Sequence, residues 1–367
     1  MLSLSALGVL LASADALQLK MDIHRQNDQS KGFDLGTHLR SHGFVVKHAT
    51  ADPAPWFLER SNDVYFGVGT MGTPPQNVQF PFSFLNETSA ICLASAPYNP
   101  VLSSSVRTSG DPTSVSYLEE YTLYGTKYFD VFNITGVIIP DQPFMFCGNV
   151  FAPSTLGFGP LVSPANNSIL RNLDDVAGLS SPLFGMWLGA PFVDNLGGEI
   201  TFGQTSPGRY MLPLTGHTLY VPQFRLWNVE ATNFGFGSTA LGYSGMFVLD
   251  PQSPTIIMPR HAGQVLAQVF NWTITSSNGY DTYQFPPLWS PPANLTLNFE
   301  INHQMYTVPP SVWVNRFTDT SPLVIGADIL YKNNPLWILG HPFLIAIYSS
   351  YNWATDTISL AQAVRGF

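Results

Sequence analysis

From Asp63 onward the chain is broken every few residues by Gly, Pro or Asn, and the runs between the breaks are short and rich in β-branched and aromatic residues. Such runs suit a pleated, half-buried surface, and the residues that end them favour turns. In the first half, the segments Asp63–Val68, Val78–Phe82, Ser116–Tyr124, Tyr128–Phe132, Val137–Ile139 and Gly198–Phe202 are predicted strands. Long helical periodicity is nearly absent. Ile169–Val176 predicts one short helix, and Pro259–Phe270 a second with proline in its first turn. The pattern is all-β. With 367 residues, 45% of them hydrophobic and only 11% charged, the chain is long and apolar enough for two lobes or one large domain.

The formal charge of −9 argues against a nucleic-acid partner. That charge is unevenly placed. Residues 1–60 hold six Lys/Arg and six Asp/Glu, whereas residues 61–367 hold nine against eighteen. Four of the eight histidines, His24, His38, His42 and His48, also lie in the first sixty residues. His38 and His42 are spaced i, i+4 but lack the Glu of a His-Glu-x-x-His site, so they are read as a solvated helix face within Asp34–Gly43 and no metal site is expected. The apolar run Met1–Ala16, ending Ala14-Asp15-Ala16, reads as a signal peptide, against the alternative of a buried N-terminal helix. Five Asn-x-Ser/Thr sequons, at Asn86, Asn133, Asn166, Asn271 and Asn294, agree with passage through the secretory pathway. The destination is then extracellular or, alternatively, lysosomal. The most apolar later segment, Pro335–Tyr348, is too short to span a membrane and contains His341. Cys92 and Cys147 are the two cysteines, and an oxidising compartment predicts that they pair, with two buried free thiols as the alternative.

Several motifs recur in order along the chain. Tyr65-Phe-Gly-Val-Gly-Thr-Met-Gly-Thr-Pro-Pro-Gln76 is a β-run closed by a turn, and a second run leads from Asn77 into Ser83-Phe84-Leu85. Further on come Tyr124-Gly125-Thr126, Ser154-Thr-Leu-Gly-Phe158, Gly197-Gly-Glu-Ile-Thr-Phe-Gly203, Asp250-Pro251-Gln252-Ser253 and Trp337-Ile-Leu-Gly-His341-Pro-Phe343. Together these resemble the pepsin-like aspartic peptidases over about residues 62–367, including an internal duplication. The resemblance implies a bilobal fold of two duplicated β-barrel-like lobes with a central cleft. It divides the chain into a signal peptide (1–16), a propeptide-like segment (17–60), an N-terminal lobe (61–204) and a C-terminal lobe (205–367). It also implies that the basic front segment covers the cleft, that Tyr124-Gly125-Thr126 belong to a shortened flap hairpin, that Ser154–Phe158 threads beneath the first catalytic loop, and that Leu219–Val229 is the entry strand of the second lobe.

The chemistry of that family needs two carboxylates close enough to share a proton, one to activate water and its protonated partner to polarise the peptide carbonyl. Here the resemblance places Ser83 where the first aspartate belongs. No aspartate occurs from Val64 to Gly110, and Glu87, the one carboxylate of that window, lies inside the Asn86 sequon and is expected to be solvated. Asp250 stands at the second position, but Pro251 lacks a backbone N–H and Gln252 replaces a glycine. His341 stands where the family has an aspartate after Ile-Leu-Gly. Other enzyme classes find no support: Gly242-Tyr-Ser244-Gly-Met246 falls short of Gly-x-Ser-x-Gly, and no His-Glu-x-x-His, Cys-x-x-Cys or P-loop is present.

These readings converge on a secreted, glycosylated, monomeric homologue that binds an extended peptide or protein in the interlobe cleft without cleaving it, and that needs no cofactor. The competing expectation is an active aspartic endopeptidase pairing Asp250 with a non-standard second carboxylate. The two differ in one observable: a second carboxylate within hydrogen-bond reach of Asp250, directly or through one water.

Overall fold

The computed structural model describes residues 52–61, 64–92, 98–117, 121–148, 154–161, 168–190, 197–277, 279–286, 291–314, 322–331 and 334–365. The expected signal peptide, nearly all of the expected propiece with His38 and His42, and the sequon at Asn166 lie outside the described residues.

The first half builds β1 (Trp56–Ser61), β2 (Val64–Met71), β3 (Gln76–Ser83), β4 (Ala90–Cys92), β5 (Arg107–Tyr117), β6 (Tyr121–Ile134), β7 (Val137–Cys147), β8 (Leu156–Gly157), the helix α1 (Ile169–Ala177), β9 (Leu183–Leu188) and β10 (Gly198–Phe202). The alternation in β3 shows why it is a strand: Val78, Phe80 and Phe82 are buried, while Asn77 and Gln79 face out. Helix α1 starts where the Ser168 hydroxyl accepts from Leu170 N–H, and stops at Gly178, whose φ of 64° suits a left-handed cap. The predicted strand Ser116–Tyr124 is corrected by the structure. It straddles the end of β5 and the start of β6, which pair with Tyr117 opposite Tyr121.

The second half builds β11 (Thr215–Thr218), β12 (Asn228–Phe236), β13 (Thr239–Ala240), β14 (Gly245–Leu249), β15 (Ile256–Met258), the helix α2 (Arg260–Phe270), β16 (Thr273–Ser277), β17 (Tyr280–Gln284), β18 (Leu297–Ile301), β19 (Gln304–Val308), a single turn α3 (Pro310–Trp313), β20 (Val324–Gly326), β21 (Leu330–Tyr331), β22 (Asn334–Leu339), a short α4 (His341–Ala346), β23 (Ile347–Asn352) and β24 (Thr357–Gln362). The segment Leu219–Val229 is mostly not a strand: a 3₁₀ turn at Pro222–Phe224 separates β11 from β12. Pro259 precedes α2 instead of lying in its first turn, and Asp328 caps the helix by accepting from Arg260 N–H at 3.0 Å.

Two large sheets result. The first runs β11-β24-β23-β9-β10-β1-β2-β6-β7-β4, with β3 on β2, β8 on β3 and β5 on β6. The second runs β16-β17-β20-β15-β22-β14-β12-β18-β19, with β13 on β12 and β21 on β22. This is the bilobal, all-β architecture of the pepsin-like fold, with two refinements. Strands β11, β23 and β24 come from the second half but extend the first sheet, β23 pairing with β9 from Ser349↔Met186 to Asn352↔Leu183. Strand β1, within the segment expected as a propiece, sits in mid-sheet between β10 and β2, with Trp56 and Leu58 buried.

The halves share one continuous apolar core that includes Phe84, Phe184, Trp227 and Tyr351. Trp227, from the second half, donates its indole N–H to the Phe158 carbonyl of the first at 2.7 Å. Cys92 and Cys147 are register partners on the parallel pair β4–β7 and form a disulfide, which settles their pairing as expected and fastens the chain just after β3 to a later strand of the same sheet.

Candidate functional site

Strand β3 ends at Ser83, which is fully buried. Its hydroxyl oxygen accepts from the Leu85 backbone N–H at 3.3 Å and from Asn86 Nδ2 at 3.4 Å. Beneath it, β8 runs parallel to β3, pairing Phe82 with Leu156 and Ser83 with Gly157, so the segment Ser154–Phe158 threads under the loop as the resemblance implied. Phe158 N–H donates to the Ser83 carbonyl at 2.7 Å, and Gly159 N–H to the Asn86 carbonyl at 2.8 Å. A Cβ at Gly157 would lie 2.4 Å from the Glu87 carbonyl carbon, so only glycine permits this approach.

Strand β14 delivers Asp250. It runs parallel to β22 in a register from Met246↔Leu336 to Leu249↔Leu339, and Asp250 N–H continues the ladder by donating to Leu339 O at 3.3 Å. The side chain is 4% exposed. Its carboxylate accepts from Gln252 N–H at 3.2 Å and from the backbone N–H of Phe84, across the boundary between the halves. Burial raises its pKa from 3.8 to about 7, and the N–H groups of Gln252 and Phe84 pull the other way by stabilising the anion. Among the described residues, no second carboxylate bonds to Asp250.

His341, where the resemblance implies an acid, packs without leaving a gap. Its ring Nε2–H donates to the Pro251 carbonyl at 2.8 Å, and its backbone N–H donates to Ser253 O at 2.8 Å. Tyr65 packs edge-on against the imidazole with ring centres 4.8 Å apart. The Asp250–Ser253 turn is therefore braced from α4 despite the N–H that Pro251 lacks. Phe84, between Ser83 and Leu85, turns its ring into the core, 4.8 Å from Tyr351 and 5.6 Å from Phe184 between ring centres.

The structure brings Ser83 and Asp250 into one site and places Tyr124, Gly125 and Thr126 in the β5–β6 hairpin, away from its turn. These three lie inside β6, opposite Ser114, Thr113 and Pro112 of β5. Tyr124 faces solvent, 76% exposed, and a Cβ at Gly125 would meet the Phe146 carbonyl of β7 at 2.3 Å. The β5–β6 connection falls instead between Tyr117 and Tyr121. Sequence reasoning missed it because Leu118-Glu119-Glu120 contains no Gly, Pro, Asn or Asp to mark a turn. Glu87, expected to be solvated, is half-buried, and its backbone packs on Gly157.

The sequons separate by environment. Asn271 and Asn294 are exposed, the first as the left-handed cap of α2 with φ 54°. Asn133 is 7% exposed inside β6, which removes it as a carbohydrate acceptor. Asn86 turns its amide nitrogen, the atom that would carry a glycan, toward Ser83, with its Oδ1 buried. Among the described residues no group of three or more His, Cys, Asp or Glu side chains is placed to hold a metal ion, and no helix is long and apolar enough to cross a membrane.

Two strand-borne loops meeting between duplicated β-lobes, one still carrying a buried carboxylate, define the aspartyl protease class. The profile of the eukaryotic aspartyl proteases matches residues 64–363, and the chain belongs to that family. It is similar to gastricsin from Mus musculus, 27% identical over 329 residues that cover 82% of this chain and 81% of the relative. It is also similar to gastricsin from Homo sapiens (24% over 372 residues, 92% of each chain) and to cathepsin E-B from Xenopus laevis (26% over 330 residues, 82% of this chain and 79% of the relative).

Proposed function

We propose that this chain is a non-cleaving member of the eukaryotic aspartyl protease family, a monomeric secretory glycoprotein that binds an extended peptide or protein segment between its halves. One observation carries the reading. Asp250, the retained carboxylate, spends its hydrogen bonds on the backbone N–H groups of Gln252 and Phe84, and faces a serine loop in place of a second acid. The two steps of the family's chemistry need two acids in different protonation states. Asp250 alone supplies one. The neutral hydroxyl of Ser83 has an alkoxide far too basic to act as its partner, and it already accepts from Leu85 and Asn86. The reading with an unorthodox second carboxylate lacks its required contact, since among the described residues no second carboxylate bonds to Asp250.

Passage through the secretory pathway is supported by the apolar start, the disulfide, and the exposed acceptors Asn271 and Asn294. Asp52 and β1 are packed as part of the folded body: the Asp52 carboxylate accepts from Ser180 N–H at 2.7 Å and from the Ser180 hydroxyl at 2.6 Å, and β1 follows directly.

The test is hydrolysis of acid-denatured globin by the purified mature protein across the acid range, with and without pepstatin. The expected result is no pepstatin-sensitive cleavage. Pepstatin-sensitive cleavage that co-purifies with the chain and disappears in Asp250→Asn overturns the reading.

A further inference from the structure

Along β14 the side chains alternate between two environments. Phe247 and Leu249 point into the main core, whereas Met246 and Val248 belong to a separate apolar layer. On the parallel neighbour β22, Trp337 and Leu339 join the main core, and Leu336 and Ile338 the separate layer. Strand alternation puts Asp250 at the end of the row Met246, Val248. The second layer thus lies on the Asp250 side of the sheet and runs up to the site. Phe224, Leu226, Ala327 and Ile329 complete its buried part, all from the C-terminal half.

One side chain of this layer comes from the other half. Leu85, two residues past Ser83, packs half-buried against it. The backbone around Leu85 is fixed from both sides, by its own N–H on the Ser83 hydroxyl and by the preceding Phe84 N–H on Asp250. The leucine is therefore held against the layer by the same loop that took the place of the acid.

We propose that Leu85 is a built-in occupant of an apolar binding site on the C-terminal half, a site that takes an aliphatic or aromatic side chain. With Leu85 in place, the position beside Asp250 is filled from within, and a bound peptide has to displace it or engage the protein elsewhere along the cleft. The loop acts as an autoinhibitory plug: Ser83 anchors it, Phe84 roots it in the shared core, and Leu85 closes the layer. This holds whether or not the chain cleaves peptides, so cleavage of globin overturns the non-cleaving reading and leaves the plug standing.

Leu85→Ala removes the occupant and Leu85→Met keeps the layer filled with a side chain of similar volume. The probe is 8-anilinonaphthalene-1-sulfonate, titrated by fluorescence and mapped by methyl NMR. Leu85→Ala is expected to bind it at least about tenfold more tightly than the wild type, the gain expected when an apolar ring replaces water over a vacated leucine site. The shifted methyls are expected to be those of Leu226, Ile329 and Ile338, and Leu85→Met is expected to behave as the wild type. A folded Leu85→Ala with unchanged affinity, or shifts confined to methyls outside this layer, overturns the proposal. If Leu85→Ala does not fold, Leu85→Val makes the same comparison with a smaller deletion, and unchanged affinity there overturns it equally.

Discussion

Asp250→Asn tests the electrostatics of the site in isolation from any activity. In the folded chain the carboxyl ionises at about 7, against 3.8 for the ordinary group, because it is buried. A carboxyl whose folded pKa lies above its unfolded value favours the folded state while protonated. Its contribution is fully present below the unfolded pKa and is lost as pH rises through the folded one. The wild type should therefore lose stability from about pH 4 to about pH 7 and level off above, at up to about 1.4 kcal/mol per pH unit in between. From pH 4.5 to 7.5 the loss through this one group comes to about 3 kcal/mol. Asparagine cannot ionise, and its carbonyl oxygen can still accept from one of the two N–H groups that Asp250 serves. The assay is urea unfolding of both proteins at a series of pH values in that window. Other titrating groups are common to both, so the difference between the curves isolates Asp250. The expected result is that the substituted protein gains on the wild type steadily as pH rises. Two curves that stay parallel across the window refute the buried-carboxyl argument, and show that the charge is solvated or compensated by a group outside those named above.

His217 predicts the opposite dependence at a different place. Burial lowers its pKa, and its Nε2 and Nδ1 are engaged by Tyr306 Oη at 2.7 Å and by Asn302 Nδ2 at 3.3 Å. Its contribution is present above the unfolded pKa of about 6.5 and lost as pH falls, so His217→Gln should flatten the acid side of the urea-stability profile; an unchanged acid limb counts against this account. Gly157→Ala sets a Cβ against the Glu87 backbone and should cost about 1–3 kcal/mol by overpacking, read as a lowered urea midpoint with an unchanged m-value; a neutral result would mean that the β3–β8 contact is loose.

What was legible in the sequence was what depends on local chemistry. The motifs that resemble the family pointed to Ser83 and Asp250 at strand ends and to Ser154–Phe158 beneath the first loop, and two cysteines in a secretory-looking chain pointed to the disulfide. Illegible parts depend on contacts distant in the chain. Strand β1 looked like the tail of a propiece because nothing in Trp56–Ser61 reveals that β10, some 140 residues on, is its partner. Strands β11, β23 and β24 carry the marks of C-terminal-half strands, and only the pairing of β23 with β9, with β24 on β23 and β11 on β24, shows that they extend the other sheet. A sequon reports a triplet and not an environment, so Asn133, buried in β6, could not be told from Asn271, exposed at the end of α2. Tyr124-Gly125-Thr126 suggested a shortened flap hairpin by resemblance; they lie within the β5–β6 hairpin, but its connection falls between Tyr117 and Tyr121, where no turn residue marks it.

The replacements around the site are linked by what each does for the fold. Two opposed carboxylates strain a buried site unless they share a proton, and on the proposed non-cleaving reading that constraint is absent here. Ser83 keeps the part of the acid's role that the backbone needs, an oxygen that accepts from Leu85 N–H and Asn86, and discards the charge. Phe84 then adds an aromatic side chain to a core shared by both halves, and its N–H ties the loop to Asp250. On the other side, Pro251 stiffens the turn after Asp250, and its carbonyl is taken up by His341, a donor that a carboxylate at the same place could supply only when protonated. Ser83 accepts from its own loop, Phe84 packs in the shared core, and His341 donates to backbone. Asp250 fits the same account: buried and bonded to two backbone N–H groups, one from each half, it acts as a joint between the lobes, and that gives the fold a use for this carboxyl that needs no partner acid.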